Sequence, residues 1–151
     1  MNIIKTEQYS ILEVMKAAII LFFTSYEEEM QRIVNTDREA PTGMLTRYID
    51  YINEATQKFR QEYLKKLHWS ILGAIREHTM LIMKKYIREI LELYVEKGVM
   101  AYPEAGMGIV VNLLAFGAGG NILYQSKEEY SQQQKDVKKL LTQMLGLSTE
   151  E

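Results

Sequence analysis

The chain has 151 residues, 47% hydrophobic and 25% charged, with a net charge of −2 and no cysteine. That length fits one domain with a sizeable core. The lack of cysteine excludes disulfides, thiolate catalysis and thiolate zinc sites, and the slightly acidic balance argues against DNA binding by this chain alone, which needs a basic footprint.

The N-terminus, MNIIKTEQYS, lacks the basic start, apolar middle and small-residue cleavage site of a signal peptide, so the cytoplasm is the expected compartment. Only Pro41 and Pro103 interrupt the helical potential of the chain, and alternating strand patterns between Asn-Gly or Asp-Gly turns are absent. No internal repeat or low-complexity segment occurs.

In chain order, Thr6 is a candidate cap for a first helix. Its apolar positions, Val14, Met15, Ala18, Ile19, Phe22, Phe23, Tyr26, Met30, Ile33 and Val34, fall at i, i+3, i+4 spacing. A break, NTDREAPTG, covers residues 35–43. A second amphipathic stretch carries Leu45, Tyr48, Ile49, Ile52, Ala55 and Phe59. A third carries Leu64, Leu67, Ile71, Leu72 and Ile75, with Gly73 and the polar REHT run predicting a bend. A fourth carries Leu81, Met83, Ile87, Ile90, Leu91, Tyr94 and Val95, and Lys97-Gly98-Val99 supplies its stop.

The chain restarts at YPEAGMG, where Pro103 suits a first helical position. A fifth helix is expected over residues 109–124, IVVNLLAFGAGGNILY. Ser126-Lys127-Glu128-Glu129 is a capping box. It opens a last helix with Val137, Leu140, Leu141, Met144 and Leu145, ending at Gly146. The expectation is an all-α bundle of about six helices in one domain.

The glycines of the fifth helix admit three readings. A dinucleotide loop needs G-x-G-x-x-G between a strand and a helix, but Ile122 stands where the third glycine belongs and no strand precedes it. A membrane span needs about 20 apolar residues, and residues 105–126 carry no charge. That window nonetheless contains five glycines, Asn112, Asn121 and Gln125, without a flanking basic cluster. The third reading is a helix that neighbours approach closely, since interior glycine costs about 1 kcal/mol each without such a reason. Val110, Leu113, Leu114, Gly117, Asn121 and Tyr124 then share one side, with Phe116, Gly120 and Leu123 on the other. A helix wanting cover on both sides of so small a chain implies a partner subunit.

Tyr48, Tyr51, Phe59, Tyr63, Trp69, Met80, Met83 and Tyr86 concentrate mid-chain. They read either as ordinary core or as an adaptable apolar pocket with phenol and indole handles. His68 and His78 are ten residues apart, which misses the i, i+4 spacing of helical metal sites, and His68 beside Trp69 is the better candidate for a ligand contact. Residues 60–88 are locally basic, a pattern that fits either a solvated helix face or an anionic effector. No Ser/His/Asp arrangement or paired-carboxylate motif is present, so catalysis, a metal and a cofactor are not expected.

IREILELYVEKGVMAYPEAGMGIVVNLLAFGAGGNIL followed by VKKLLTQMLGL resembles the C-terminal half of TetR-family transcriptional regulators, and TDREAPTGMLTRYIDYI is similar to the entry into their regulatory core. The resemblance spans residues 36–147, with a looser echo in residues 15–29, but the recognition helix and its signature are missing. It implies a regulatory half: a connecting helix (1–35), ligand-pocket helices (36–100) and dimerisation helices (103–147). It further implies a homodimer whose last two long helices form a four-helix bundle, a small apolar or aromatic effector, and DNA reached only through an absent N-terminal domain; no membrane is expected, on the glycine and amide content of residues 105–126. The seam is expected at Val110, Leu113, Leu114, Gly117, Asn121, Tyr124, Leu140, Leu141 and Met144. The effector contacts are expected among Tyr48, Tyr51, Phe59, Tyr63, His68, Trp69, Met80 and Met83. The rival is a stand-alone helical interaction domain without ligand or catalysis.

Overall fold

A computed structural model describes residues 2–117 and 126–145, with the side chains of residues 2–12, 15, 16, 19, 22, 144 and 145 excepted. The described residues form α1 (Asn2–Asn35), α2 (Met44–Tyr63), α3 (Trp69–Glu96), α4 (Met107–Ala115) and α5 (Lys127–Leu145), with no strand among them. None of these helices is long and apolar enough to cross a membrane.

α1, α2 and α3 pack on one another, α4 lies on α3, and α5 lies on α2. Residue numbers rise together where α1 meets α3: the Phe23 ring is 5.1 Å from His78, and Glu27 accepts a hydrogen bond from the Tyr86 hydroxyl at 3.0 Å. These two helices therefore run parallel. α2 runs against them, and its first turn meets the end of α3 where Leu45 contacts Tyr94. Phe23, Met30, Ile33 and Val34 of α1, Met44 to Ile52 of α2 and Met83 to Tyr94 of α3 supply the core. Apolar burial of this kind contributes about 25 cal/mol per Å2 removed from water.

Several local expectations differ from the structure. α1 is already helical from Asn2, upstream of the proposed Thr6 cap. The third and fourth amphipathic stretches are one continuous helix, α3, with no break at Gly73. Leu72 and Ile75 beside Gly73 belong to the same stripe as Met83 and Ile90, so a bend would have interrupted a face whose burial outweighs the helix cost of one glycine. Residues 64–67 belong to the turn before α3, and His68 is the N-cap, its Nδ1 accepting the Ser70 N–H at 3.3 Å.

Pro103 stands outside α4. The Gly106 N–H donates to the Pro103 carbonyl at 3.0 Å, closing a turn, and α4 begins after Gly106 at φ 97°. The α3 stop has the expected form. Gly98 sits at φ 72°, its N–H donates to Val95, and the Val99 N–H donates to Tyr94 at 2.8 Å. The α5 cap also forms, with the Glu129 N–H donating to Ser126 Oγ at 3.1 Å.

Candidate functional site

The glycine-containing helix leads to the most distinctive surface. α4 buries Met107, Val110, Val111, Leu114 and Ala115 against α3, because these recur at i, i+3, i+4. Its outer side carries Ile109, Leu113 and Phe116, each more than half exposed, and Leu140 of α5 is exposed beside them. No charged residue occurs from Met107 to Gly117, so this face presents apolar surface and Asn112 to solvent. Contiguous exposed apolar surface on a small domain commonly marks an interaction site.

A groove between α4 and α5 is lined by Val110, Leu113, Leu114, Gly117, Val137, Leu140 and Leu141. Val137 was not among the residues expected at the seam, although its i−4 relation to Leu141 on α5 was visible in the sequence. Asn121 and Tyr124 lie outside the described residues, as does the Met144 side chain. The groove holds a cavity of about 60 Å3. Ligand pockets run to roughly 300–1,000 Å3, so this one takes side chains rather than an effector.

Gly117, two residues beyond the end of α4, lies close against α5. A Cβ at this position would lie 3.2 Å from Val137 Cγ2. Its carbonyl accepts hydrogen bonds from the Gln133 side chain at 2.6 Å and the Gln134 side chain at 3.4 Å. α5 then presents Tyr130, Gln134, Val137 and Leu141 inward at i, i+4, i+7, i+11. Its seam with α2 is partly polar, through the Lys138–Asp50 ion pair and the Tyr130 phenol, which bonds Thr56.

The expected effector residues divide into two groups. Tyr48 and Met83 have no exposed surface and fill the core. The Tyr48 hydroxyl reaches Met30 Sδ at 3.6 Å, and burial pushes its phenol well above the ordinary value, with Tyr86 and Tyr51 adding to the effect. Tyr51 is half-buried and packs on the same core; desolvation, then Glu29, pushes it up to about 12. The remaining candidates lie toward the other end of the bundle. Phe59 is buried with its ring 5.3 Å from that of Tyr63, and Met80 is half-buried. His68 is exposed and its ring lies 5.4 Å from that of Trp69. Trp69 is 77% exposed.

The bundle is thus tightly packed where α3 passes Tyr48 and loosely covered where α3 begins. Near the packed end, Lys85 and Tyr86 converge on Glu27, and Lys85 is held above its usual value by Tyr86 first and Glu27 second. Among the described residues, no group of His, Asp or Glu side chains comes together in a metal-binding arrangement.

Compared with known proteins, the chain matches no family model, no curated protein and no solved structure.

Proposed function

We propose that this chain is the effector-sensing and dimerisation domain of a TetR-like regulator, acting as a homodimer. The reading is carried by one observation: the helices that the resemblance assigns to a two-fold seam, α4 and α5, bear the uncovered apolar face of Ile109, Leu113, Phe116 and Leu140. A two-fold interface requires a patch complementary to itself, and an uncharged stripe beside a groove meets that requirement without setting like charges against each other. A second copy would insert side chains such as Leu113 into the groove and give the glycine-containing helix cover on its second side.

An effector would act by binding one arrangement of α1 better than another, since a ligand shifts an equilibrium only by its differential affinity. Regulatory output belongs to a DNA-reading partner or domain. Full packing of Tyr48 and Met83 favours the rival, a ligand-free interaction domain, over any effector site at that level of the core. The loosely covered end around Trp69 is where the two readings separate.

Native mass spectrometry at low micromolar concentration tests the association. A species of twice 17.6 kDa supports the two-fold seam, and retained extra mass identifies an effector. A clean monomer removes the central support for the regulator reading.

A further inference from the structure

α5 rests on a polar side of α2. Asp50, Asn53, Thr56, Gln57 and Arg60 follow at i, i+3, i+6, i+7 and i+10, which places them on one face of that helix. Two of them are tied to α5: Asp50 by its ion pair with Lys138, and Thr56 by its bond to the Tyr130 phenol. α2 and α5 therefore run antiparallel, and Asn53 falls midway along the seam. At about 100° of turn per residue, Asn53 and Gln57 lie angularly between the two anchors and so face α5 as well.

Asn53 Oδ1 and Gln57 Nε2 are buried there without a hydrogen-bond partner among the described residues. A buried amide group left unpaired costs free energy that contact with water recovers. Docking of α5 strands these two groups, and its release returns them to solvent.

α5 gains little apolar burial in exchange. Among its described side chains it buries Tyr130, Gln134, Val137 and Leu141, of which only Val137 and Leu141 are aliphatic. α4, by contrast, seats five apolar residues against α3. Further ties of α5 are the hydrogen bonds from Gln133 and Gln134 to the Gly117 carbonyl and the Lys138–Asp50 pair. The Asp50 side chain is 55% exposed, and ion pairs so open to water contribute little. Elements held by few buried apolar contacts open before the core does.

We propose that α5 is a releasable arm, which undocks from α2 and α4 as a unit while α1, α2 and α3 stay folded. With it go Val137, Leu140 and Leu141, one wall of the groove that a second copy would occupy. Docking of α5 thus gates the dimer seam, a consequence that rests on the dimer proposed above. A second copy binds only the docked state and draws the equilibrium toward it.

Native-state hydrogen exchange of the full chain, read by mass spectrometry at rising sub-denaturing urea, tests the release. Amides of residues 131–143 should exchange through an opening about a hundredfold more populated than the one that exposes residues 82–94. The α5 opening should depend less steeply on urea, because it exposes less surface. Asn53→Leu with Gln57→Met keeps side-chain size and removes the stranded groups, so it should lower the α5 opening about tenfold. Exchange of α5 and α3 through one common opening would overturn the proposal. An α5 opening indifferent to urea would do the same, since that is fraying and not release. Exchange in the double variant as fast as in the parent would also overturn it, by showing that water satisfies both amides in the docked state.

Sedimentation of the same samples keeps the two readings apart. A monomer whose α5 opens ahead of α3 sinks the dimer seam alone. A dimer whose α5 opens only together with α3 sinks this proposal alone.

Discussion

The Tyr94 hydroxyl accepts the backbone N–H of Leu45 at 2.8 Å and donates to the carbonyl of Thr42 at 2.9 Å. Gly43, the N-cap of α2, has no side chain to satisfy the first N–H groups of that helix. A tyrosine from the far end of α3 supplies the missing acceptor, so the start of α2 is capped by tertiary structure. Tyr94 is itself fully buried, which ties the cap to the integrity of the core.

Tyr94→Phe keeps the ring and removes the cap. The substitution should cost about 1–2 kcal/mol, the usual range for a lost N-cap or a stranded buried donor. Urea denaturation measures it. A loss below a few tenths of a kcal/mol would mean that water reaches the Leu45 N–H in the native state.

Leu113 is 57% exposed, so replacing it leaves the core intact. On the proposed two-fold seam, Leu113→Glu should leave the chain monomeric at low micromolar concentration where the parent associates, because the two copies would set like charges against each other. The helical circular dichroism should be unchanged. Association unchanged from the parent would count against the proposed seam.

Gly117→Ala and Gly117→Leu separate close packing from tolerance. The alanine Cβ meets Val137 at 3.2 Å, a contact that a small displacement of α5 relieves, so its cost should be about 1 kcal/mol or less. Leucine cannot be accommodated there. It should drive α5 away from α4, disturb the Gln133 bond to the Gly117 carbonyl, and lower stability by about 1–3 kcal/mol, an overpacking effect. If the proposed dimer forms, Gly117→Leu should also shift the chain toward monomer or aggregate, and a stable, unchanged dimer would count against the proposed seam. Equal thermal midpoints for the two variants would show that α5 is free to move.

Alkaline pH should destabilise the fold through Tyr130. Desolvation, opposed by Thr56 and Arg60, pushes its phenol up to about 12 in the native state, against 10.0 for the free group. Between those values the unfolded chain releases a proton that the native chain retains, so stability falls as pH rises. The contribution is fully present below pH 10 and lost through about 12. Urea midpoints measured from pH 8 to 11 should decline, and Tyr130→Phe should flatten the decline. An unchanged slope in that variant would place the alkaline loss on other tyrosines.

Helix type and several helix ends were legible in the sequence, because apolar spacing and cap residues are local properties. Gly98 needed only its left-handed conformation and the Ser126 cap only its neighbours. The break at residues 35–43 followed from the same local chemistry, whereas the second turn runs on past Pro103, where a helix start was expected, to Gly106. Gly73 misled for the complementary reason: a glycine weakens a helix locally, but whether α3 breaks there depends on what its stripe covers.

Sequence by itself determined that the chain is helical, that α4 is apolar around much of its circumference, and that thiol chemistry has no residue to carry it. Periodicity and residue type suffice for those conclusions. Only the tertiary structure decided that Tyr48 and Met83 are core while Trp69 stands open, although all were equally plausible pocket residues by type. It alone decided that Tyr94 caps α2 and that Gly117 seats against Val137. Burial and long-range hydrogen bonding depend on which helices cover a given face, and the helical repeat specifies the face but not its cover.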